Sequence, residues 1–301
     1  MNEMAVVNAA EITQIKNRHP CLSGGAQGGA DMNNGRIHLP VSPVCNIQCK
    51  FCKRDFNKWE MRPGVAAGLL HPKEAVSLVD KALAICPQIT VAGIAGPGDT
   101  LATTHALEAF RLIYAAFPQL INCLSTNGLL LEKYADDLWN AGVRTVTVTV
   151  NAVDADILAN ICSHIVFDGK LYKGVKGAQI LIDAQERGIE KMSALGAVVK
   201  INTVLIPEIN DFHIEEIACA VKSWGGSIIN IIPLIPQFEM ADLQPPTCSQ
   251  LNKARSEAEE YLPVFRHCQQ CRADAAGIPG RSDISNLLYE YAGTERTFSH
   301  G

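Results

Sequence analysis

Residues 45–52 read Cys45-Asn46-Ile47-Gln48-Cys49-Lys50-Phe51-Cys52, a C-x3-C-x2-C spacing directly after an apolar, β-branched segment. Three thiolates on one short loop can hold three corners of a [4Fe-4S] cluster. With three cysteines rather than four, one iron stays open to an external ligand, as the open position does in a catalytic zinc site. A zinc knuckle is the alternative, but active sites of α/β proteins collect in loops that follow strands. The segment therefore predicts an iron–sulfur active site in an α/β fold.

On either side of this loop, short β-branched segments alternate with stretches of helical periodicity. The predicted strands are 37–44, 89–95, 121–125, 145–150, 198–206 and 227–235. The predicted helices between them are 72–85, 104–117, 131–140, 175–195 and 214–224. Six strands alternating with helices predict a parallel sheet with right-handed crossovers. The sheet could be an open doubly wound one or an incomplete barrel, and the position of the cysteine loop favours the partial (βα)6 barrel.

The composition is that of a packed globular protein. Of 301 residues, 48% are hydrophobic and 19% charged, and the formal net charge is −5. The acidic balance argues against a nucleic-acid partner, because binding phosphates requires a basic surface. Residues 1–16 contain no continuous apolar core, and no segment approaches the roughly 20 apolar residues of a membrane helix. We therefore expect a cytoplasmic protein with no membrane partner, whose eleven cysteines do not form a disulfide framework and whose clustered cysteines serve metal ligation or redox chemistry.

Glycines follow the second predicted strand, in Gly93-Ile94-Ala95-Gly96-Pro97-Gly98-Asp99. Glycine allows a ligand to approach the backbone closely, and the Asp99 carboxylate can accept hydrogen bonds from an ammonium group. The segment does not match the dinucleotide pattern G-x-G-x-x-G, which argues against a Rossmann site. Polar residues at the later strand ends are candidates for the same pocket, and they are Ser125, Asn127, Thr149, Asn151 and Asn202.

The cysteine spacing resembles the signature of the radical S-adenosylmethionine (SAM) superfamily. The resemblance implies that Cys45, Cys49 and Cys52 hold a [4Fe-4S] cluster whose open iron binds the amino and carboxylate groups of SAM. It implies that Phe51 packs near the adenine. It also implies that Gly96, Gly98 and Asp99 correspond to the superfamily's G-G-E-type motif. The cofactors carry out the radical chemistry, and the protein orients SAM and excludes water.

Three further segments hold residues that can ligate iron. They are His19-Pro20-Cys21, Glu60-Met61-Arg62-Pro63-Gly64, and the C-x2-C pair of Cys268 and Cys271. The pair can hold two corners of a second cluster, and Cys21 can supply a third thiolate. His19 and Glu60 can ligate further iron. The remaining cysteines are predicted to be buried small apolar residues, and they are Cys86, Cys123, Cys162, Cys219 and Cys248.

From about residue 19 to residue 280 the chain resembles the NifB family of radical SAM proteins, which act in nitrogenase cofactor biosynthesis. The matching strings are H-P-C, V-C-N-I-Q-C-K-F-C, R-P-G-V, G-I-A-G-P-G-D, S-T-N-G, G-V-K-G-A and R-H-C-Q-Q-C-R-A-D-A-A-G. The resemblance implies a lyase-type enzyme that fuses two [4Fe-4S] substrate clusters and inserts a SAM-derived carbide, giving an eight-iron precursor. It further implies three partners: a cluster-donor scaffold, an electron donor and a downstream cofactor carrier.

Carried over to this chain, the resemblance assigns one substrate cluster to Cys21, Cys268 and Cys271. It assigns part of the other to His19 and Glu60. Many members of the family have a cysteine three positions before the glutamate, where this chain has Asn57. Because asparagine is a poor iron ligand, what completes this second ligand set is left open.

We expect three regions along the chain. Residues 1–36 form an N-terminal extension that includes a flexible glycine-rich loop at 24–29, residues 37–236 form the radical SAM core, and residues 237–301 form a C-terminal extension. This last region includes a helix over 251–261 and a loosely ordered polar tail from about residue 280. Two other functions fit the same motifs: a radical SAM enzyme whose auxiliary cluster serves modification of a peptide or small molecule, and a non-catalytic iron–sulfur or zinc scaffold.

Overall fold

The computed structural model describes residues 9–22 and 33–289, so the predicted glycine-rich loop at 24–29 and the end of the predicted tail lie outside the described residues. The strands are β1 (Gly35–His38), β2 (Ile47–Cys49), β3 (Asp55–Phe56), β4 (Val65–Ala66), β5 (Ile89–Ile94), β6 (Ile121–Thr126), β7 (Val143–Thr149), β8 (Cys162–Phe167), β9 (Lys170–Tyr172), β10 (Val198–Leu205), β11 (Ile228–Pro233) and β12 (Ala276–Gly277). The helices are α1 (Ala9–Arg18), α2 (Ala75–Ile85), α3 (His105–Ala116), α4 (Leu131–Asn140), α5 (Ala155–Ile161), α6 (Gly174–Ala194), α7 (Ile214–Ser223), α8 (Cys248–Glu259) and α9 (Ser285–Leu288).

The main sheet has seven strands in the order β11-β10-β7-β6-β5-β1-β12. Its first six members are parallel and follow one another in chain order, and β12 pairs antiparallel with β1. A doubly wound sheet would reverse its strand order at a switch point. Here the order runs in one direction, so the sheet curls into a half barrel. The prediction of an α/β partial (βα)6 barrel is confirmed.

The apolar core lies between this sheet and the helices that connect its strands. Phe110 and Ile113 of α3, Leu138 of α4 and Ile189 of α6 are fully buried. Strand β5 is buried at five of its six positions, in keeping with a parallel strand that is covered on both faces. Buried Asn122 donates from Nδ2 to the carbonyl oxygens of residues 110 and 141, and so ties the middle of α3 and the end of α4 to β6. Among the helices of the described residues, none has both the length and the apolar character that spanning a bilayer requires.

Most predicted boundaries are confirmed to within two residues, but the first strand ends at His38 rather than at residue 44. Pro40 and Pro43 follow, and proline cannot donate a hydrogen bond to a neighbouring strand. The predicted C-terminal helix begins three residues earlier than expected, at Cys248. Helix α1 and the hairpin β8–β9 were not predicted. The hairpin has Asp168 and Gly169 at its turn with φ of 48° and 71°, the conformation that an Asp-Gly turn favours.

The C-terminal segment returns to the start of the sheet and joins it to the loop after the cysteines. Arg272 donates to both carboxylate oxygens of Asp274 at 2.8 and 2.9 Å, and both side chains are buried. Arg272 also donates at 2.7 Å to the carbonyl oxygens of Asn57 and Glu60. Asp274 in turn accepts a bond from the backbone N–H of Ala67 at 2.7 Å. One ion pair therefore connects residues 57–67 to the closing segment.

Replacing Arg272 with methionine would leave the Asp274 charge buried without its ion-pair partner. We expect the free energy of unfolding to fall by about 3–5 kcal/mol, the usual result of removing one member of a buried ion pair. The measurement is urea unfolding of the cluster-free protein. The control is Arg111→Met, which breaks an exposed 2.7 Å pair with Asp137 and should cost about 0–1 kcal/mol. Equal effects of the two substitutions would contradict the anchoring role of Arg272.

Candidate active site

A cavity of about 350 Å³ lies inside the curl of the sheet and reaches the carboxyl ends of its parallel strands. This volume falls within the range of about 300–1,000 Å³ that is usual for ligand sites. The predicted site residues that line it are His19, Cys21, Cys45, Cys49, Phe51, Cys52, Gly98, Asp99, Ser125, Asn127, Thr149, Asn151, Asn202, Cys268 and Cys271. Gly96 and Glu60 are not part of the lining. Segments from both ends of the chain therefore meet at one cavity.

The three-cysteine loop is held by backbone and amide hydrogen bonds. The N–H of Cys52 donates to the carbonyl oxygen of Cys49 at 3.0 Å. Buried Gln48 donates from Nε2 to the carbonyl oxygens of Cys49 and Cys52 at 2.8 and 3.0 Å. Strand β2 pairs antiparallel with β8, which puts Cys49 opposite Cys162. The loop is thus shaped by contacts that leave all three thiols facing the cavity.

Two thiols of this loop, those of Cys45 and Cys49, are shifted towards their protonated form. Burial raises the pKa of Cys45 to about 12, and the charge of Arg54 offsets part of that effect. A hydrogen bond with Cys162, together with burial, holds the pKa of Cys49 well above its ordinary value. Arg54 itself is anchored by a 3.0 Å bond from Nη2 to the carbonyl oxygen of Ile47. Iron binding must therefore displace protons here, as it does at thiolate sites generally.

The donor set fits an iron–sulfur cluster. Three cysteine sulfurs from one short loop line the cavity, and a buried arginine lies beside them. In residues 9–22 and 33–289 no three His, Cys, Asp or Glu side chains converge on a point where one ion could be held. A cubane cluster is bound at separate corners, so its ligands surround a body rather than a point.

The glycine segment packs directly against the start of the cysteine loop. The N–H of Gly98 donates to the carbonyl oxygen of Ser42, and that of Asp99 to the carbonyl oxygen of Val44, both at 2.8 Å. A Cβ atom at Gly98 would lie 2.0 Å from the Val44 carbonyl oxygen. Gly96 has φ +123° and lies beside Ala273. Glycine is therefore required at residue 98 by the cysteine loop itself.

Asp99 organises the end of β6. Its carboxylate accepts bonds from the N–H groups of Leu101 and Asn127 at 2.9 and 2.6 Å, and from the Thr126 hydroxyl at 3.0 Å. Burial raises its pKa, and these bonds act in the opposite direction. The Asn127 side chain then donates to Asn46 Oδ1 at 2.7 Å. Asp99 thus positions cavity residues, and its direct contact with an ammonium group stays a prediction.

Polar side chains at the later strand ends line the cavity as predicted, but two of them are already engaged in hydrogen bonds within the protein. Asn151 accepts from the N–H of Val204 at 2.9 Å, and Asn202 accepts from Asn230 Nδ2 at 3.0 Å. Gln185 of α6 was not predicted as a site residue. It lines the cavity and donates to the carbonyl oxygens of residues 127 and 149 at 2.7 and 2.9 Å.

A second group of thiols, those of Cys21, Cys268 and Cys271, lines the same cavity. Burial raises the pKa of Cys21, and the nearby Cys271 and Cys268 thiols act in the same direction. His19 is 5% exposed, and burial lowers its pKa to about 3. The N–H of Cys21 donates to His19 Nδ1 at 3.1 Å, and His19 Nε2 is buried without a partner. Because a neutral ring that accepts at Nδ1 carries its proton on Nε2, iron ligation through Nε2 requires this bond to be given up.

Glu60 and Asn57 belong to a loop beside the cavity. Asn57 is buried, accepts at Oδ1 from the N–H of Glu60 at 2.9 Å, and donates from Nδ2 to Glu60 Oε2 at 3.0 Å. That hydrogen bond, assisted by Arg62 at 2.6 Å, lowers the pKa of Glu60. Asn57 therefore shapes the loop that carries Glu60, and the ligand roles predicted for Glu60 and His19 stay predictions.

Of the remaining cysteines, Cys86 and Cys162 are buried as predicted. The same prediction is wrong for Cys219 and Cys248, which lie exposed on the surface helices α7 and α8. Cys123 and Cys162 line the cavity. No spacing in the sequence indicates this, because their positions follow from strand pairing.

The described site and fold match one class of known proteins. The model of the radical SAM superfamily matches residues 39–219. A radical SAM methyltransferase from Sphaerobacter thermophilus superposes with a TM-score of 0.51 at 18% identity, over 77% of this chain and 64% of that one. Methylornithine synthase superposes with a TM-score of 0.51 at 11% identity, over 88% of this chain and 79% of that one. The chain belongs to the radical SAM superfamily, whose enzymes use a [4Fe-4S] cluster and SAM.

Curated relatives identify the family within this superfamily to which the chain belongs. FeMo cofactor biosynthesis protein NifB of Methanocaldococcus infernus is 46% identical over 95% of this chain and 94% of its own length. NifB of Methanocaldococcus jannaschii is 48% identical over 92% of this chain and 91% of its own length. The Klebsiella pneumoniae protein is 43% identical over 87% of this chain, which spans 57% of that longer relative. Within the superfamily, the chain is a member of the NifB family.

Adding a methyl group at Gly98 tests the contact between the glycine segment and the cysteine loop. We expect Gly98→Ala to retain less than half of the iron bound by the unsubstituted chain, because the Val44 backbone must move and Cys45 with it. Iron content and absorption after anaerobic reconstitution measure this. The control is Gly174→Ala, at a glycine with φ of 59° where the added Cβ is strained by the backbone but has nothing within 4 Å, so that it separates backbone strain from the contact with Val44. Normal iron binding by Gly98→Ala would contradict the argument.

Proposed function

We propose that this chain makes the iron–sulfur precursor of the nitrogenase cofactor, fusing two [4Fe-4S] substrate clusters around a carbon taken from SAM. One observation carries the proposal: the thiols of Cys21, Cys268 and Cys271 line the same cavity as the three-cysteine loop. A substrate bound at these thiols would lie within the enclosure where SAM is cleaved. The names of the curated relatives, FeMo cofactor biosynthesis protein, agree with this role.

The residues of the chain divide the work between two sides of the cavity. Cys45, Cys49 and Cys52 hold the resident cluster, which when bound supplies the electron that cleaves SAM. Phe51 and the strand-end amides, such as Asn127, orient SAM. On the other side, Cys21 and the Cys268–Cys271 pair hold one substrate cluster. His19 and Glu60 contribute to holding the other.

The position of His19-Pro20-Cys21 favours this function over the alternative of an auxiliary cluster for peptide modification. An auxiliary cluster needs no ligands from the N-terminal segment, whereas cofactor assembly uses Cys21 and His19 as substrate ligands. All three residues of this motif line the cavity. Their burial against the half barrel supports binding of a substrate cluster next to SAM.

The proposal extends to the setting of the enzyme. Residues 1–36 and 237–301 would act as cluster-binding extensions around the core at 37–236. A scaffold protein would donate the substrate clusters, an electron donor would reduce the resident cluster, and a carrier would take the product to nitrogenase. We propose a cytoplasmic location, because thiolate-bound clusters require a reducing compartment.

The decisive experiment traces the methyl carbon of SAM into the protein-bound cluster. The reconstituted protein is incubated anaerobically with reductant and with SAM that carries an isotopic label in its methyl group. We expect label in the protein-bound cluster, together with S-adenosylhomocysteine from methyl transfer and 5′-deoxyadenosine from radical formation. Deoxyadenosine without retained label would move the function to peptide or small-molecule modification. The absence of SAM cleavage would leave only a scaffold function.

Two substitutions separate the two sides of the cavity. Cys268→Ala is expected to keep SAM cleavage within about twofold and to lose label retention, because it removes a substrate ligand only. Cys49→Ala is expected to lose both activities, because the resident cluster lacks one corner. The control is Cys219→Ala, at an exposed thiol on α7. Retained SAM cleavage in Cys49→Ala would refute the assignment of the three-cysteine loop.

A further prediction concerns Glu60, which lies outside the cavity lining. We expect Glu60→Ala to lower label retention at least tenfold while SAM cleavage stays unchanged. The reason is that a ligand of the substrate cluster is needed to form the fused product but is not needed to cleave SAM. The measurement compares label in the cluster with deoxyadenosine in the same reaction. The control is Asp55→Ala, which removes a part-exposed carboxylate from the neighbouring strand β3. Unchanged label retention would remove Glu60 from the ligand set.

A further inference from the structure

Two buried cations face the cavity beside the second group of thiols. Arg36 lies on β1 and is 7% exposed, and Lys200 lies on β10 and is 6% exposed. Both line the cavity, and they come from strands that are four places apart in the sheet order. The curl of the sheet is what brings them to one enclosure. Neither residue belongs to a motif that the sequence analysis identified.

Arg36 bonds directly to one of the thiols. Its Nη2 donates to the sulfur of Cys271 at 3.1 Å, and its Nη1 donates to the carbonyl oxygen of Gly277 at 2.9 Å. Gly277 pairs with Arg36 across β1 and β12, so the closing strand fixes the guanidinium in position. The buried Nε of Arg36 has no hydrogen-bond partner. The guanidinium is therefore aimed at the thiol side of the cavity and retains a free donor.

Lys200 lines the same cavity as these thiols. Its ammonium group is 4.2 Å from the centre of the Phe265 ring, an arrangement that stabilises a cation without neutralising it. Its charge acts on three cavity groups: it opposes the effect of burial, which raises the pKa of Cys21 and Cys123, and it adds to the effect of burial, which lowers the pKa of His19.

Neither cation pairs with a carboxylate anywhere in residues 9–22 and 33–289. The neighbouring Arg272, also buried, shows the usual arrangement, because it is paired with Asp274. A buried charge without a counter-charge is strongly unfavourable. Two such charges in one cavity indicate that this side is built to receive an anion.

We propose that Arg36 and Lys200 are positioning residues that hold the substrate cluster at Cys21, Cys268 and Cys271 by charge. This inference rests on the proposed function. A cubane ligated by three thiolates is anionic overall, and charge and hydrogen bonds to its sulfurs set its reduction potential. Arg36 bonds to the Cys271 sulfur, and Lys200 adds a second positive charge that acts on Cys21. Together they favour cluster retention and raise the potential of the bound cluster.

The test uses a chain in which Cys45, Cys49 and Cys52 are all alanine, so that any bound cluster occupies the second group of thiols. After anaerobic reconstitution with iron and sulfide, bound iron, the electron paramagnetic resonance of the reduced cluster and its reduction potential are measured. Lys200→Met and Arg36→Met are introduced into this background. Lys200→Arg and Arg36→Lys keep the charge, and Lys222→Met is the control at an exposed lysine of α7.

We expect each methionine variant to shift the potential in the negative direction by at least 59 mV, which is a tenfold change in the ratio of reduced to oxidised cluster for one electron. Loss of bound iron that the charge-keeping variant restores would support the proposal equally. Unchanged bound iron and an unchanged reduction potential in both methionine variants would overturn this inference, and the proposed function would stand. A parent chain that binds no iron would overturn the second cluster itself, and with it this inference.

Discussion

The contact between Gly98 and the Val44 carbonyl is the constraint on which the rest of the site depends. Two 2.8 Å backbone bonds, from Gly98 and Asp99, fix the start of the cysteine loop to the end of β5. Asp99 then fixes Asn127 at the end of the neighbouring strand. A side chain at residue 98 could not be accommodated without moving this backbone. The position of Cys45 is thus set by the sheet rather than by the loop alone.

The second organising feature is the return of the C-terminal segment to the first strand. Pairing of β12 with β1 extends the edge of the half barrel and delivers Cys268 and Cys271 to the cavity. The ion pair of Arg272 and Asp274 links the same segment to the loop of Asn57 and Glu60. Both predicted substrate-ligand regions therefore depend on one closing element, although they are distant in sequence.

The electrostatics of the cavity are matched to anionic, thiolate-bound occupants. Burial in the cavity raises the pKa values of Cys21 and Cys45 and so favours their protonated thiols. Its cations are already in place, with Arg54 beside one group of thiols and Arg36 beside the other. When a cluster binds, iron would replace the protons of the thiols, and the cations beside them would keep their positions. Because protons compete for the thiolates, binding weakens as the pH falls.

The sequence by itself determined the α/β class, the order of the strands and helices, and the identity of the three-cysteine loop. These features are local, because the patterns that predict strands, helices and the cluster loop depend on the spacing of residues that are close together in the chain. The tertiary structure alone decided the roles of Gly98 and Asn57. It also decided the meeting of Arg36, Lys200 and Cys162 with the predicted ligands. Strand pairing brings together residues far apart in the chain, and no spacing along the sequence records which distant side chains share a cavity.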